Sequence, residues 1–108
     1  GTSADELLNE FLLFSSEVAE KIPHTRCFFI SIKPSVFRSE YLDIILDFNK
    51  KVKNSIDHLN QWKYIDLCTP MLETGYEKFY GEDPLHMNIL GYSLLSKLIR
   101  DELDVFIN

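Results

Sequence analysis

The sequence predicts an α/β fold in the order helix, strand, helix, strand, helix, and three observations carry that prediction. Three long stretches repeat apolar residues at three- and four-residue steps. Two short aromatic and β-branched runs separate them, and Pro23, Lys33-Pro34-Ser35 and Thr69-Pro70 punctuate the pattern. Strands that alternate with helices of this length imply a parallel sheet joined by right-handed crossovers, with helices on both faces.

The first helix is expected over residues 4–22. Ser3-Ala4-Asp5-Glu6 has capping-box form. Leu7, Leu8, Phe11, Leu12, Phe14, Val18 and Ile22 then share one face until Pro23. Residues 26–32 (Arg-Cys-Phe-Phe-Ile-Ser-Ile) are too short for a helix and nearly continuous in apolar character, which suits a strand covered on both faces. A second helix is expected over residues 39–59, with Ser39 as a cap and Tyr41, Ile45, Phe48, Val52, Ile56 and Leu59 on its inner face. Residues 62–67 form the second strand, which Thr69-Pro70 ends. Residues 71–87, with Gly75, Gly81 and Pro84, read as a long irregular loop of the kind that often carries function. Asn88 caps the last helix, whose buried stripe is Leu94, Leu95, Leu98, Ile99, Leu103 and Phe106.

At 108 residues the chain builds one core at most, and 45% hydrophobic residues are enough for that. No apolar run approaches a membrane span. A net charge of -6 opposes binding to a phosphate backbone, so nucleic acid is not an expected partner. Lys50, Lys51 and Lys53 read as a solvated helix face. Cys27 and Cys68 match neither a zinc nor a redox spacing and read as small buried hydrophobes. Localisation is left open by all of these features.

In open parallel sheets ligands bind beyond the carboxyl ends of the strands, where loops lead into helices. The 71–87 loop is such a place, and it holds Asp83 and His86 three residues apart, beside Pro84 and just before a helix start. A carboxylate next to an imidazole can fix its tautomer and support the charge gained by a general base. His24, in a turn, and His58, near a helix end, read as solvated. A metal site on Asp83, His86 and one of these lacks a second ligand pair at metal-binding spacing, so no metal or cofactor is expected.

The string Asp83-Pro84-Leu85-His86-Met87-Asn88-Ile89-Leu90-Gly91-Tyr92 resembles the last conserved block of the SGNH (GDSL-type) hydrolases, Asp-x-x-His-(apolar)-Asn-x-x-Gly-Tyr. The resemblance extends upstream. Residues 26–35 look like that family's penultimate strand and its Lys-Pro-Ser turn; Phe48-Asn49 resembles its next helix and Tyr64-Ile65-Asp66-Leu67 its last strand. It implies the C-terminal part of a three-layer α/β/α flavodoxin-like domain from a GDSL-type lipase, esterase or acylhydrolase. It also implies that residues 1–108 are that part of a single domain, with His86 as general base, Asp83 as its orienting carboxylate, and Gly91 and Tyr92 in packing roles.

The family's Gly-Asp-Ser nucleophile and its oxyanion donors, a Gly and the Asn of a Gly-x-Asn-Asp stretch, have no match here. Gly1-Thr2-Ser3 has no strand before it and a helix-capping explanation instead. The implied function is therefore a fragment that supplies His and Asp to a serine carboxylic-ester hydrolase acting on a small ester substrate. The alternative is a non-catalytic interaction module of the same fold, and a flavodoxin-like binding domain would need a phosphate-cradling loop. Met71, Leu72, Tyr76, Phe79 and Tyr80 are candidates for an apolar acyl-binding wall or for core. A base without a nucleophile cannot form an acyl-enzyme, so the chain alone is expected to be inactive; two strands leave sheet edges and apolar helix faces uncovered, so it is expected to self-associate or to pair with the missing N-terminal part.

Overall fold

A computed structural model describes residues 3–35, 39–83 and 86–107 of the chain. It is a mixed α/β structure with α1 (Ala4–Lys21), β1 (Cys27–Ile30), α2 (Leu42–Ile56), β2 (Trp62–Ile65), α3 (Cys68–Thr74) and α4 (Ile89–Ile107). Short 3-10 turns lie at Ser39–Tyr41 and Tyr76–Phe79. The two strands pair in parallel: the Cys27 N–H donates to the Gln61 carbonyl at 2.8 Å and the Ser31 N–H to the Ile65 carbonyl at 2.9 Å, so both chains advance in one direction.

The chain divides into two compact units, Gly1–Phe29 with Asp43–Tyr64, and Ile30–Leu42 with Ile65–Asn108, each with its own buried cluster, where the length led to the expectation of one core at most. In the first, the face of the strands that carries Phe29, Trp62 and Tyr64 is covered by α1 and α2. Phe11 meets the rings of Phe29 and Trp62 edge-on at 5.3 and 5.1 Å, and Phe29 meets Phe48 at 6.0 Å. Ala4, Phe11, Phe48, Val52 and Ile56 are the buried centre. The α1 cap is as expected, with Ser3 Oγ accepting from the Glu6 N–H at 3.2 Å. Lys51 does more than face solvent: its ammonium pairs with Asp5 of α1 and with Asp47 one turn earlier on α2.

Other expectations are corrected. Phe14 is 56% exposed and Ile22 49%, so the buried stripe of α1 is narrower than its apolar face. Tyr41, in the 3-10 turn before α2, is 51% exposed because that turn breaks the helical register before Leu42. The Ser39 side chain lies outside the described residues. Ile30 is 36% exposed, so the end of β1 is not covered on both faces. Cys27 is half-buried, not buried, and neither cysteine is in a disulfide.

In the second unit the largest departure is at residues 66–79. Thr69-Pro70 does not end a strand; β2 stops at Ile65, and both residues lie in the first turn of α3. Proline is tolerated there because its missing N–H would have no intrahelical partner. The open N–H groups are met from elsewhere. Ser31 Oγ, just beyond β1, accepts from both the Leu67 and Cys68 N–H groups at 2.9 Å, and Asp66 Oδ1 accepts from Thr69 at 3.0 Å. α3 ends at Gly75, whose φ of 98° a side chain would disfavour. The first part of what reads as loop, residues 71–74 and 76–79, is thus helical. Leu67, Met71, Phe79, Tyr80 and Met87 form the core of this unit, with Leu94, Leu95 and Leu98 of α4 against it. Leu103 is 39% exposed and not part of the stripe, and the Phe106 side chain lies outside the described residues.

Candidate functional site

The carboxyl ends of both strands, Ile30 and Ile65, belong to the second unit, and so does the segment that carries Asp83 and His86. That segment leaves the core at Tyr80 and returns at Met87, where the two residues make an antiparallel bridge. Asn88 closes the neck. Its N–H donates to the Phe79 carbonyl at 2.7 Å and its side-chain Nδ2 to the Lys78 carbonyl at 3.0 Å. Its Oδ1 accepts from the Gly91 N–H at 3.1 Å, so one residue caps α4 and fixes the base of the loop. A Cβ on Gly91 would come within 2.7 Å of Met87 Cβ, so glycine there allows the first turn of α4 to lie against the neck.

Inside this loop Asp83 holds His86 at two points. Asp83 Oδ1 accepts from the His86 backbone N–H at 3.2 Å, and Oδ2 lies 2.7 Å from His86 Nδ1. The carboxylate favours the tautomer with its proton on Nδ1, which leaves Nε2, across the ring, as a base. The His86 side chain is 68% exposed and that of Asp83 56%, so water screens the pair and it adds little to stability. Pro84 and Leu85 lie outside the described residues.

Two further residues belong to the site: Lys33, which sequence reading places only in a turn, and Tyr80, which it weighs only as acyl-binding wall or core. The Tyr80 hydroxyl donates to the Pro34 carbonyl at 2.6 Å, and the Lys33 ammonium stands 5.6 Å above the Tyr80 ring. The loop that carries Asp83 and His86 is thereby fastened to the segment that follows β1. Burial raises the Tyr80 phenol to about 12, with smaller contributions from Cys68, Tyr76 and Tyr92, so it stays a hydrogen-bond donor at any ordinary pH. Burial lowers the Lys33 pKa below the usual lysine value, and the Asp83 carboxylate opposes that shift. No signal in the string distinguishes Tyr80 from Tyr76 as the residue that makes these contacts.

Of the five residues considered for an acyl-binding wall, Met71, Phe79 and Tyr80 are buried in the core of the unit, and Leu72 and Tyr76 are half-buried. An open groove of about 390 Å³ lies elsewhere, lined by Pro70, Thr74, Phe79, Leu90, Ser93, Leu94 and Lys97. Ser93 belongs to a second Gly-x-Ser, Gly91-Tyr92-Ser93, which sequence reading passed over; it lies within α4, and no hydrogen bond joins it to His86 among the described residues. His24 and His58 are exposed and take no part in the site. Among the described residues no three His, Cys, Asp or Glu side chains are grouped to hold a metal ion, and no helix is long and apolar enough to cross a membrane.

No family model and no curated protein matches the chain. A solved structure from Streptococcus pneumonia, described as a candidate platelet activating factor, is similar over 93% of this chain, with a TM-score of 0.75 and 26% sequence identity. The match covers 51% of that structure, so the chain spans about half its length.

Proposed function

We propose that this chain is the C-terminal part of an SGNH-type, three-layer α/β/α serine ester hydrolase and supplies its histidine and carboxylate. The observation that carries the reading is the double contact of Asp83 with His86, which directs one ring nitrogen to the carboxylate and leaves the other as a base. The Asp-x-x-His-(apolar)-Asn-x-x-Gly-Tyr string and the likeness to the Streptococcus pneumonia structure support the same reading.

In such an enzyme a serine from the other half attacks the ester carbonyl. His86 Nε2 takes the serine proton and returns it to the departing alcohol as the acyl-enzyme forms; water then repeats the cycle in reverse. Asp83 keeps Nδ1 protonated and offsets the imidazolium charge. The oxyanion donors also come from the other half.

The test is the complete gene product. It is expected to contain a strand followed by Gly-Asp-Ser, to react with a fluorophosphonate at that serine, and to lose several powers of ten in ester turnover on His86→Ala. Near-normal turnover in that variant would remove His86 from the chemistry. Labelling of Ser93 in the 108-residue chain would place the nucleophile here instead.

A further inference from the structure

We propose that Tyr80 is a positioning residue for His86, acting through the hydrogen bond of its hydroxyl to the Pro34 carbonyl and through its backbone bridge to Met87. Its meaning for catalysis rests on the hydrolase reading, while the hold it exerts on the loop is measured without turnover.

Asp83 and His86 orient each other inside the loop, but both side chains are more than half exposed, so their mutual contacts do not decide where the loop stands. The neck decides it. Tyr80 precedes Asp83 by three positions and bridges Met87, the residue after His86. Asn88 ties the same neck to the Phe79 and Lys78 carbonyls and to the first turn of α4, all close in sequence. The Tyr80 side chain reaches much farther, to a residue 46 positions earlier.

Both ends of that contact are firmly set. Tyr80 is 8% exposed, and Pro34 is fully buried with one backbone angle fixed by its ring. The hydroxyl meets the Pro34 carbonyl at 2.6 Å, and the Lys33 ammonium stands 5.6 Å from the centroid of the same ring. Tip and face are thus both held by the segment just after β1, at the carboxyl end of the strand, where parallel α/β sheets bind ligands. Because the backbone of Tyr80 is paired with that of Met87, a shift of the ring moves the peptide next to His86. A general base works only within hydrogen-bond reach of the group it deprotonates, and a serine carried on another element does not move with the loop. The Tyr80 hydroxyl therefore fixes where His86 Nε2 stands, while Asp83 fixes which way its ring faces.

The experiment compares Tyr80→Phe, which keeps the ring and removes the donor, with 4-aminophenylalanine at the same position, which restores an N–H donor. In the 108-residue chain, the NMR order parameters of the His86 and Met87 amides are expected to fall in Tyr80→Phe from about 0.85 toward about 0.6, while those of Leu95 and Leu98 in α4 stay near about 0.85. With 4-aminophenylalanine the neck is expected to return to the wild-type values. In the complete gene product, kcat per fluorophosphonate-reactive site is expected to fall about tenfold or more in Tyr80→Phe, with KM within about twofold, and 4-aminophenylalanine to restore it. Counting reactive sites removes any loss of folded enzyme from that comparison. Unchanged order parameters at His86 and Met87, an equal fall along α4, or a loss of kcat that 4-aminophenylalanine leaves in place overturns the proposal. Any of these leaves the hydrolase reading standing. An inactive complete gene product removes that reading instead, and the order parameters then decide the hold of Tyr80 on the loop.

Discussion

Asp83 and His86 are joined through both carboxylate oxygens, one on the ring and one on the backbone N–H, so the side chain that orients the imidazole also shapes the turn that presents it. Removing the carboxylate releases both. In the 108-residue chain, Asp83→Ala should abolish the preference of neutral His86 for the Nδ1–H tautomer, as read from its ring nitrogen shifts. In the complete enzyme it should lower turnover by about ten-thousandfold, in line with losses on removing a triad carboxylate.

Asn88 and Gly91 should prove structural. Asn88→Ala removes the α4 cap and the bond to the Lys78 carbonyl, at a cost of about 1 kcal/mol or more, which should lower Tm by about 4–8 °C. Gly91→Ala places a Cβ against Met87 and should cost about 1–3 kcal/mol. Calorimetry checks both. Unchanged stability with collapsed turnover in either variant would contradict the assignment.

Ser31 should matter more than an ordinary surface serine, since one hydroxyl oxygen accepts two buried N–H groups at the start of α3. Ser31→Ala leaves both without that acceptor, and each unsatisfied group costs about 1–3 kcal/mol. Urea unfolding should show a lower midpoint with an unchanged slope. Amide exchange at Leu67 and Cys68 should accelerate before that of α4.

Tyr80 gives the chain a pH dependence in the alkaline range. Its phenol ionises near 10 when unfolded and near about 12 when folded, so its contribution is fully present below pH 10. Between pH 10 and 12 the unfolded state gives up its proton first, and stability falls. Lys33 has the opposite sign, because its lowered pKa makes the unfolded chain bind more protons there. The stability difference between wild type and Tyr80→Phe isolates the phenol: it should be constant up to pH 9 and shrink through pH 11.

The sequence made the helices and the Asp83–His86 spacing legible because their causes are local. Ser3 and Asn88 cap within three residues, and Ile45, Phe48, Val52 and Ile56 repeat along a single helix. The short helix α3 is harder to read because only part of its cause is local: Asp66 accepts from Thr69, but the acceptor for the Leu67 and Cys68 N–H groups is Ser31, more than thirty positions earlier. The contact of Lys33 with Tyr80 is illegible for a like reason. Their pairing crosses from the end of β1 to the neck of the loop, and nothing in Lys33-Pro34-Ser35 names the ring that it meets.

The parallel pairing of β1 with β2 also sets how the chain reaches its structure. Cys27 meets Gln61 and Ser31 meets Ile65, partners about 34 residues apart, so no part of the sheet forms without closing a loop that contains α2. The closure entropy is lost before any interstrand bond offsets it, which places the barrier at the docking of α2 and β2 rather than at helix formation. The Cys27 and Ser31 amides should therefore exchange with solvent only when the whole loop opens, and a chain still lacking residues 61–65 should hold helices but no sheet.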